Sequence, residues 1–183
     1  MGFRLPTKGN CMNLKTLALL ATSLTLFGCT STFNQNKLTQ EQKLDTDASV
    51  YIATPSNGIH RSHEFEGSGQ QTASILEEGF SKYTDKVVTS TRCTSIQCLA
   101  DDFPEEGYYV IPVILGWDDG RTNWSDSTRD TVELKIMIYN PQGQKVATHI
   151  ISGQSKSMAS NKKHPEDLLK KPITAYLKSI YEF

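Results

Sequence analysis

The stretch Leu26-Phe27-Gly28-Cys29 divides this chain in two. It closes an uncharged, largely apolar run, Leu17–Phe27, that follows the positive charge of Lys15. A bilayer-spanning helix takes about 20 apolar residues, so this run is too short to span; it has the length of a signal-peptide core. Leu at −3, Gly at −1 and a Cys directly after make a lipobox, with Cys29 as the acylated first residue of the mature protein. Phe27 at −2 is bulkier than that position usually carries. Two start sites fit the leader: Met1, with a basic preface containing Pro and Gly, and Met12, where Lys15 alone supplies the n-region charge. Residues 1–28 are read as a lipoprotein signal peptide, and only the rest of the chain has to fold.

The leader carries Arg4, Lys8 and Lys15 and no acid, so its removal takes three of the 19 basic residues and none of the 20 acidic ones. The formal net charge moves from −1 to −4. A mildly acidic domain has no broad electrostatic hold on nucleic acid, and none is expected as a partner. With 37% hydrophobic and 21% charged residues the chain has the make-up of a folded domain. The lipobox resembles that of Gram-negative lipoproteins, in which Asp after the Cys retains the protein at the inner membrane. Thr30 at that position implies the outer membrane, on its periplasmic face, with palmitate among the acyl chains. Several chains on one Cys give stable anchoring, where one gives only marginal binding. The first expected partner is therefore the lipid bilayer, through Cys29.

Residues 29–47 are rich in Thr, Asn, Gln and Lys. They read as a flexible tether with a frayed helical turn around Leu38–Leu44, reaching about 25 Å on average. The folded domain is placed at 48–183. Ser49–Ala53 is a short strand ended by Pro55, and the stretch from there to Gly69 reads as an exposed loop. Ala73, Leu76, Phe80 and Tyr83 fall at helical spacing, with Gly79 a local weakness of about 1 kcal/mol unless close packing requires it. A second strand centres on Val87 and Val88. A short helix carries Ile96, Leu99, Ala100 and Phe103, stopped by Pro104 and Gly107. Tyr108–Trp117 is a strand, Trp117–Asp130 a long polar turn, and Thr131–Tyr139 a strand in which Val132, Leu134, Ile136 and Ile138 alternate with more polar residues. Pro141-Gln142-Gly143 turns the chain into a last strand from about Gln144 to Ser155. A final helix opens at Pro165, and Pro172 should kink or split it. The expected fold is α/β (α+β): one mixed five-stranded sheet with about three helices packed on it, in the order β-α-β-α-β-β-β-α.

This order, with Tyr109-Val110-Ile111-Pro112 after the short helix, resembles the amino-terminal domain of TolB and the outer-membrane lipoprotein activators of penicillin-binding proteins. Trp117-Asp118-Asp119-Gly120-Arg121-Thr122-Asn123-Trp124-Ser125, His164–Leu169 and the Val50–Ala53 strand resemble an uncharacterised family of small proteobacterial lipoproteins, a domain of unknown function. That resemblance implies address and fold and carries no activity with it.

Cys93 and Cys98 are the cysteines left after processing and acylation, and in an oxidising periplasm they are expected to pair. Residues five apart within one helix sit too far apart to bridge, so Cys93 must precede the helix and Cys98 lie in its first turns. The C-x-x-x-x-C spacing lacks the pattern of a thioredoxin-like redox pair. His60, His63 and Glu64 are ligand types for zinc, but their spacing is no zinc signature and a solvated polar loop fits better. Asp118, Asp119, Asn123 and Asp126 do not match a calcium-binding loop. His149 falls in a strand, and His164 beside a helix start. The Trp117–Asp130 turn is the most distinctive surface. It reads as a long hairpin connection, or as a partner-binding patch through Trp117, Asp118, Arg121 and Trp124, since Trp and Arg carry much of the energy of interfaces. No phosphate loop, Gly-x-Ser-x-Gly or Ser/His/Asp grouping is present. The sequence therefore suggests a non-enzymatic module, without metal or cofactor, that binds another envelope component, a protein. A regulator of cell-wall synthesis is one alternative, and an envelope hydrolase or metal-dependent enzyme using His60, His63 or Asp118 is another.

Overall fold

The computed structural model describes residues 32–40 (backbone path), 43–104, 106–120, 129–155 and 164–182. Its centre is a mixed sheet of six strands. In chain order these are β1 (Thr32–Gln40), β2 (Ser49–Ala53), β5 (Val87–Ser90), β6 (Gly107–Asp118), β7 (Thr131–Tyr139) and β8 (Lys145–Gln154). A separate hairpin is made by β3 (Gly58–His60) and β4 (His63–Phe65), and the helices are α1 (Ser68–Phe80), α2 (Ile96–Asp102) and α3 (Asp167–Tyr181). Across the sheet the order is β1-β8-β7-β6-β2-β5. β2 runs parallel to both β5 and β6, whereas β6, β7, β8 and β1 follow one another antiparallel. The mixed sheet with three helices is as expected from the sequence.

The alternation in β7 sorts the two faces. Val132, Leu134, Ile136 and Ile138 are almost fully buried and join Val50, Ile52 and Val110 in one core with Leu76 and Phe80 of α1 and Leu168, Leu169, Ile173 and Leu177 of α3. A side chain of this size contributes about 1.5–3 kcal/mol when fully buried, so this face carries most of the apolar stabilisation. The opposite face holds a smaller core, in which Tyr51, Ala53, Tyr109 and Ile111 meet Leu99 of α2 and Cys93. Tyr51 stacks between Phe103 (4.8 Å) and Tyr109 (5.8 Å), and the Tyr109 hydroxyl donates to the Phe103 carbonyl where α2 ends. Cys93 and Cys98 form a disulfide, with Cα atoms 5.4 Å apart. Ser95 caps α2, its hydroxyl accepting the Cys98 N–H. One sulfur therefore lies before the helix and the other in its first turn, the placement the spacing requires.

Three expectations change. The segment read as a flexible tether contains β1, nine residues paired antiparallel along β8 from Thr32↔Gln154 to Gln40↔Ala147. Chain polarity gives no warning of this, because the pairing uses backbone groups that β8 would otherwise expose along its length. The loop before Gly69 contains the β3–β4 hairpin, whose turn places Arg61 at φ 56°; two-residue hairpin turns take this left-handed conformation. Pro172 does not split α3, which continues as one helix from Asp167 to Tyr181. Pro172 is buried against the core together with its neighbours Leu168, Leu169, Ile173 and Tyr176, and that burial offsets the missing backbone bond.

Gly79 is explained by close helix contact. A Cβ there would lie 2.8 Å from Leu177 Cδ1 and 3.2 Å from Ile173 Cγ2, so the glycine lets α1 approach α3. Gly79→Val should lower stability by about 1–3 kcal/mol through overpacking, read as a fall in the urea midpoint. An unchanged midpoint would show that the two helices have slack at this crossing.

Candidate functional site

The polar residues singled out in the sequence gather at one end of the sheet, where β6 finishes. Trp117, its penultimate residue, is 4% exposed and belongs to the larger core. It is seated by Gly58 of β3, where any Cβ would run into the Trp117 side chain. The hairpin is fastened to α1 by Ser68, whose hydroxyl accepts the Gly58 N–H (2.8 Å) and donates to the Phe65 carbonyl (2.7 Å). Asn57 adds two bonds, accepting the Gly69 N–H and donating to Glu64 at 2.7 Å. The end of β6 thereby fixes the hairpin, and the hairpin fixes the start of α1.

The two residues after Trp117 reach in different directions. Asp118, almost fully buried, lies 3.9 Å from His60 Nδ1. Asp119 lies 3.4 Å from His164 Nδ1. His164 leads into α3 through a turn in which the Asp167 and Leu168 N–H groups donate to the His164 and Pro165 carbonyls. The His164 N–H in turn donates to the Asp167 carboxylate (3.2 Å). Its ring thus pairs with Asp119 while the Asp167 side chain closes the turn. Between these elements lies a cleft of ≈570 Å³ lined by His63, Glu64, Phe65, Trp117, Asp119 and His164, with Glu66, Ser68, Gln71, Pro165 and Glu166 completing its wall. The His63 ring meets Phe65 edge-on at 4.8 Å.

Of the sequence-level candidates, His63 and Glu64 line this cleft, while His60 turns to Asp118. Among the described residues, the set of three ligand-type side chains that converges within 4.8 Å is Cys93, Cys98 and Asp102, and both sulfurs there are spent in the disulfide. His60, His63 and Glu64 do not form such a set. Trp117 and Asp118 are buried rather than displayed, beside Gly58 and His60 of the hairpin. Arg121, Asn123, Trp124 and Asp126 lie outside the described residues, as does Cys29. Ser68, which lines the cleft from α1, has its hydroxyl committed to Gly58 and Phe65. His149 stacks face to face on Tyr176 at 4.1 Å inside the core. Burial raises the Tyr176 phenol well above its ordinary value, so it stays neutral. The Asp119–His164 pair has no signal in the sequence, since 45 positions separate the two residues.

Residues 42–180 match the family described as Domain of unknown function (DUF4823), and the chain belongs to that family. No curated protein matches it. Among solved structures it is similar to the PelC dodecamer from Paraburkholderia phytofirmans, with TM-score 0.60, 13% identity, and coverage of 84% of this chain and 99% of that one. A point variant of the same protein gives TM-score 0.59 at 12% identity, covering 83% and 99%. The hypothetical protein CT253 from Chlamydia trachomatis gives TM-score 0.43 at 12% identity, covering 73% and 94%. At such identity the PelC likeness is one of fold.

Gly58→Ala should cost about 1–3 kcal/mol and shift tryptophan emission to the red as the hairpin lifts from Trp117. Unaltered emission and stability would detach the hairpin from the end of β6.

Proposed function

We propose that this protein is a lipid-anchored module of the bacterial envelope, held at the periplasmic face of the outer membrane, that works by binding another envelope component, a protein, rather than by catalysis. The lipobox ending at Cys29 carries this reading. The site adds support. The carboxylates Asp118 and Asp119 are turned toward His60 and His164, contacts that fasten a hairpin and a helix start to one strand end. That end is also where the chain leaves β6 toward Arg121 and Trp124, residue types that anchor interfaces. The fold neighbour PelC is a dodecamer, which suits a fold used through contact with other chains. A regulator of cell-wall synthesis fits less well, because β1 takes up much of the chain that would have served as a tether.

The envelope-hydrolase reading has one observation in its favour, the His164–Asp119 pair bordering the ≈570 Å³ cleft. The commitment of Ser68 to the hairpin weighs against it.

The test joins anchor and binding in one experiment. Palmitate should label the wild type and not Cys29→Ala. Crosslinking in whole cells should then capture a specific envelope protein with the wild type and lose it in the Arg121→Ala, Trp124→Ala double variant. Labelling with no capture, together with a hydrolytic activity abolished by Asp119→Asn, would replace this reading with the enzymatic one.

A further inference from the structure

The register of β1 determines which end of the domain an acyl anchor can reach. Thr32 opens β1 opposite Gln154, Gln154 is opposite Thr131 in β7, and Thr131 is opposite Asp118 in β6. These four residues form one row across the end of the sheet. That end carries the His164–Asp119 pair and the cleft. Only Thr30 and Ser31 separate Thr32 from Cys29. At a maximum of about 3.5 Å per residue, Cys29 lies within about 11 Å of the Thr32 Cα. The Pro141-Gln142-Gly143 turn is at the other end of the same strands, since Tyr139 pairs with Lys145. Along β8, from Gln154 to Lys145, the separation is about 30 Å at 3.3 Å per residue.

We propose that acylated Cys29 seats the domain directly on the lipid headgroups by the Thr32–Gln154–Thr131–Asp118 end of its sheet, with the Pro141–Gly143 turn directed away from the membrane. This rests on the lipoprotein reading above. It replaces a domain swinging about 25 Å out on a flexible tether with one of fixed orientation, because Thr32–Gln40 is a strand of the sheet rather than a leash. The cleft then opens beside the headgroup layer.

Gln154 and Gln142 are both exposed, and they report on opposite ends. Full-length acylated protein carrying Gln154→Cys or Gln142→Cys, each labelled with an environment-sensitive fluorophore, is reconstituted into phosphatidylethanolamine/phosphatidylglycerol vesicles containing a headgroup-nitroxide lipid. The proposal expects loss of most of the emission at position 154 and little loss at 142. An insertion of about fifteen Gly and Ser residues between Ser31 and Thr32 should bring the two positions to similar, weak quenching, since a chain of that length reaches more than 20 Å. Equal quenching without the insertion, on protein whose Cys29 carries its acyl chains by mass, overturns the seat and leaves the anchor standing. A Cys29 without acyl chains overturns both.

Discussion

β8 is hydrogen-bonded along both of its edges, to β7 on one side and to β1 on the other. The rest of the architecture leans on this double pairing. Without β1, a strand of ten residues would present its unpaired N–H and C=O groups to solvent and to other chains. With β1 in place, β8 becomes an interior strand, and His149 can stack against Tyr176 under a sheet that extends past it. The same pairing brings Thr32 to one end of the sheet. The chain returns at the other end, where the Leu44 N–H donates to the Ile180 carbonyl and Leu44 joins the main core.

The end of β6 gathers the polar residues for a related reason. β6 runs to Asp118 whereas its parallel neighbour β2 stops at Ala53, so most of β6, beyond Val110, has no strand paired with it on that side. The β3–β4 hairpin comes in there and closes over Trp117 through Gly58. Asp118 then lies beside His60 of the hairpin, and Asp119 beside His164 at the approach to α3. Trp117 is held there by packing against Gly58, and Ser68 by its bonds to Gly58 and Phe65.

Features whose cause lies in side chains were readable from the sequence. The alternation in Val132–Ile138 gives the buried face of β7, the stripe Leu168, Leu169, Ile173, Leu177 gives α3, and the spacing of Cys93 and Cys98 around a helix start gives the disulfide. Features whose cause lies in the backbone or in distant partners were not. β1, with the sequence Thr-Phe-Asn-Gln-Asn-Lys-Leu-Thr-Gln, has no strand periodicity, because its role is to satisfy the edge of β8. The hairpin turn uses Arg61 where Gly or Asn would have signalled it. Pro172 reads as a helix breaker because the sequence does not show how deeply its ring is buried. The cleft depends on residues brought together from β4, β6 and the start of α3, and no local pattern marks such a meeting.

The six-stranded sheet requires β1 to be a true strand, and amide hydrogen exchange reads its pairing residue by residue. If β1 is paired as described, amides between Phe33 and Gln40 that face β8 exchange slowly, in step with those of β8 opposite them. Exchange of the whole 33–40 segment at the rate of an unstructured peptide would contradict the six-stranded sheet and return those residues to a tether.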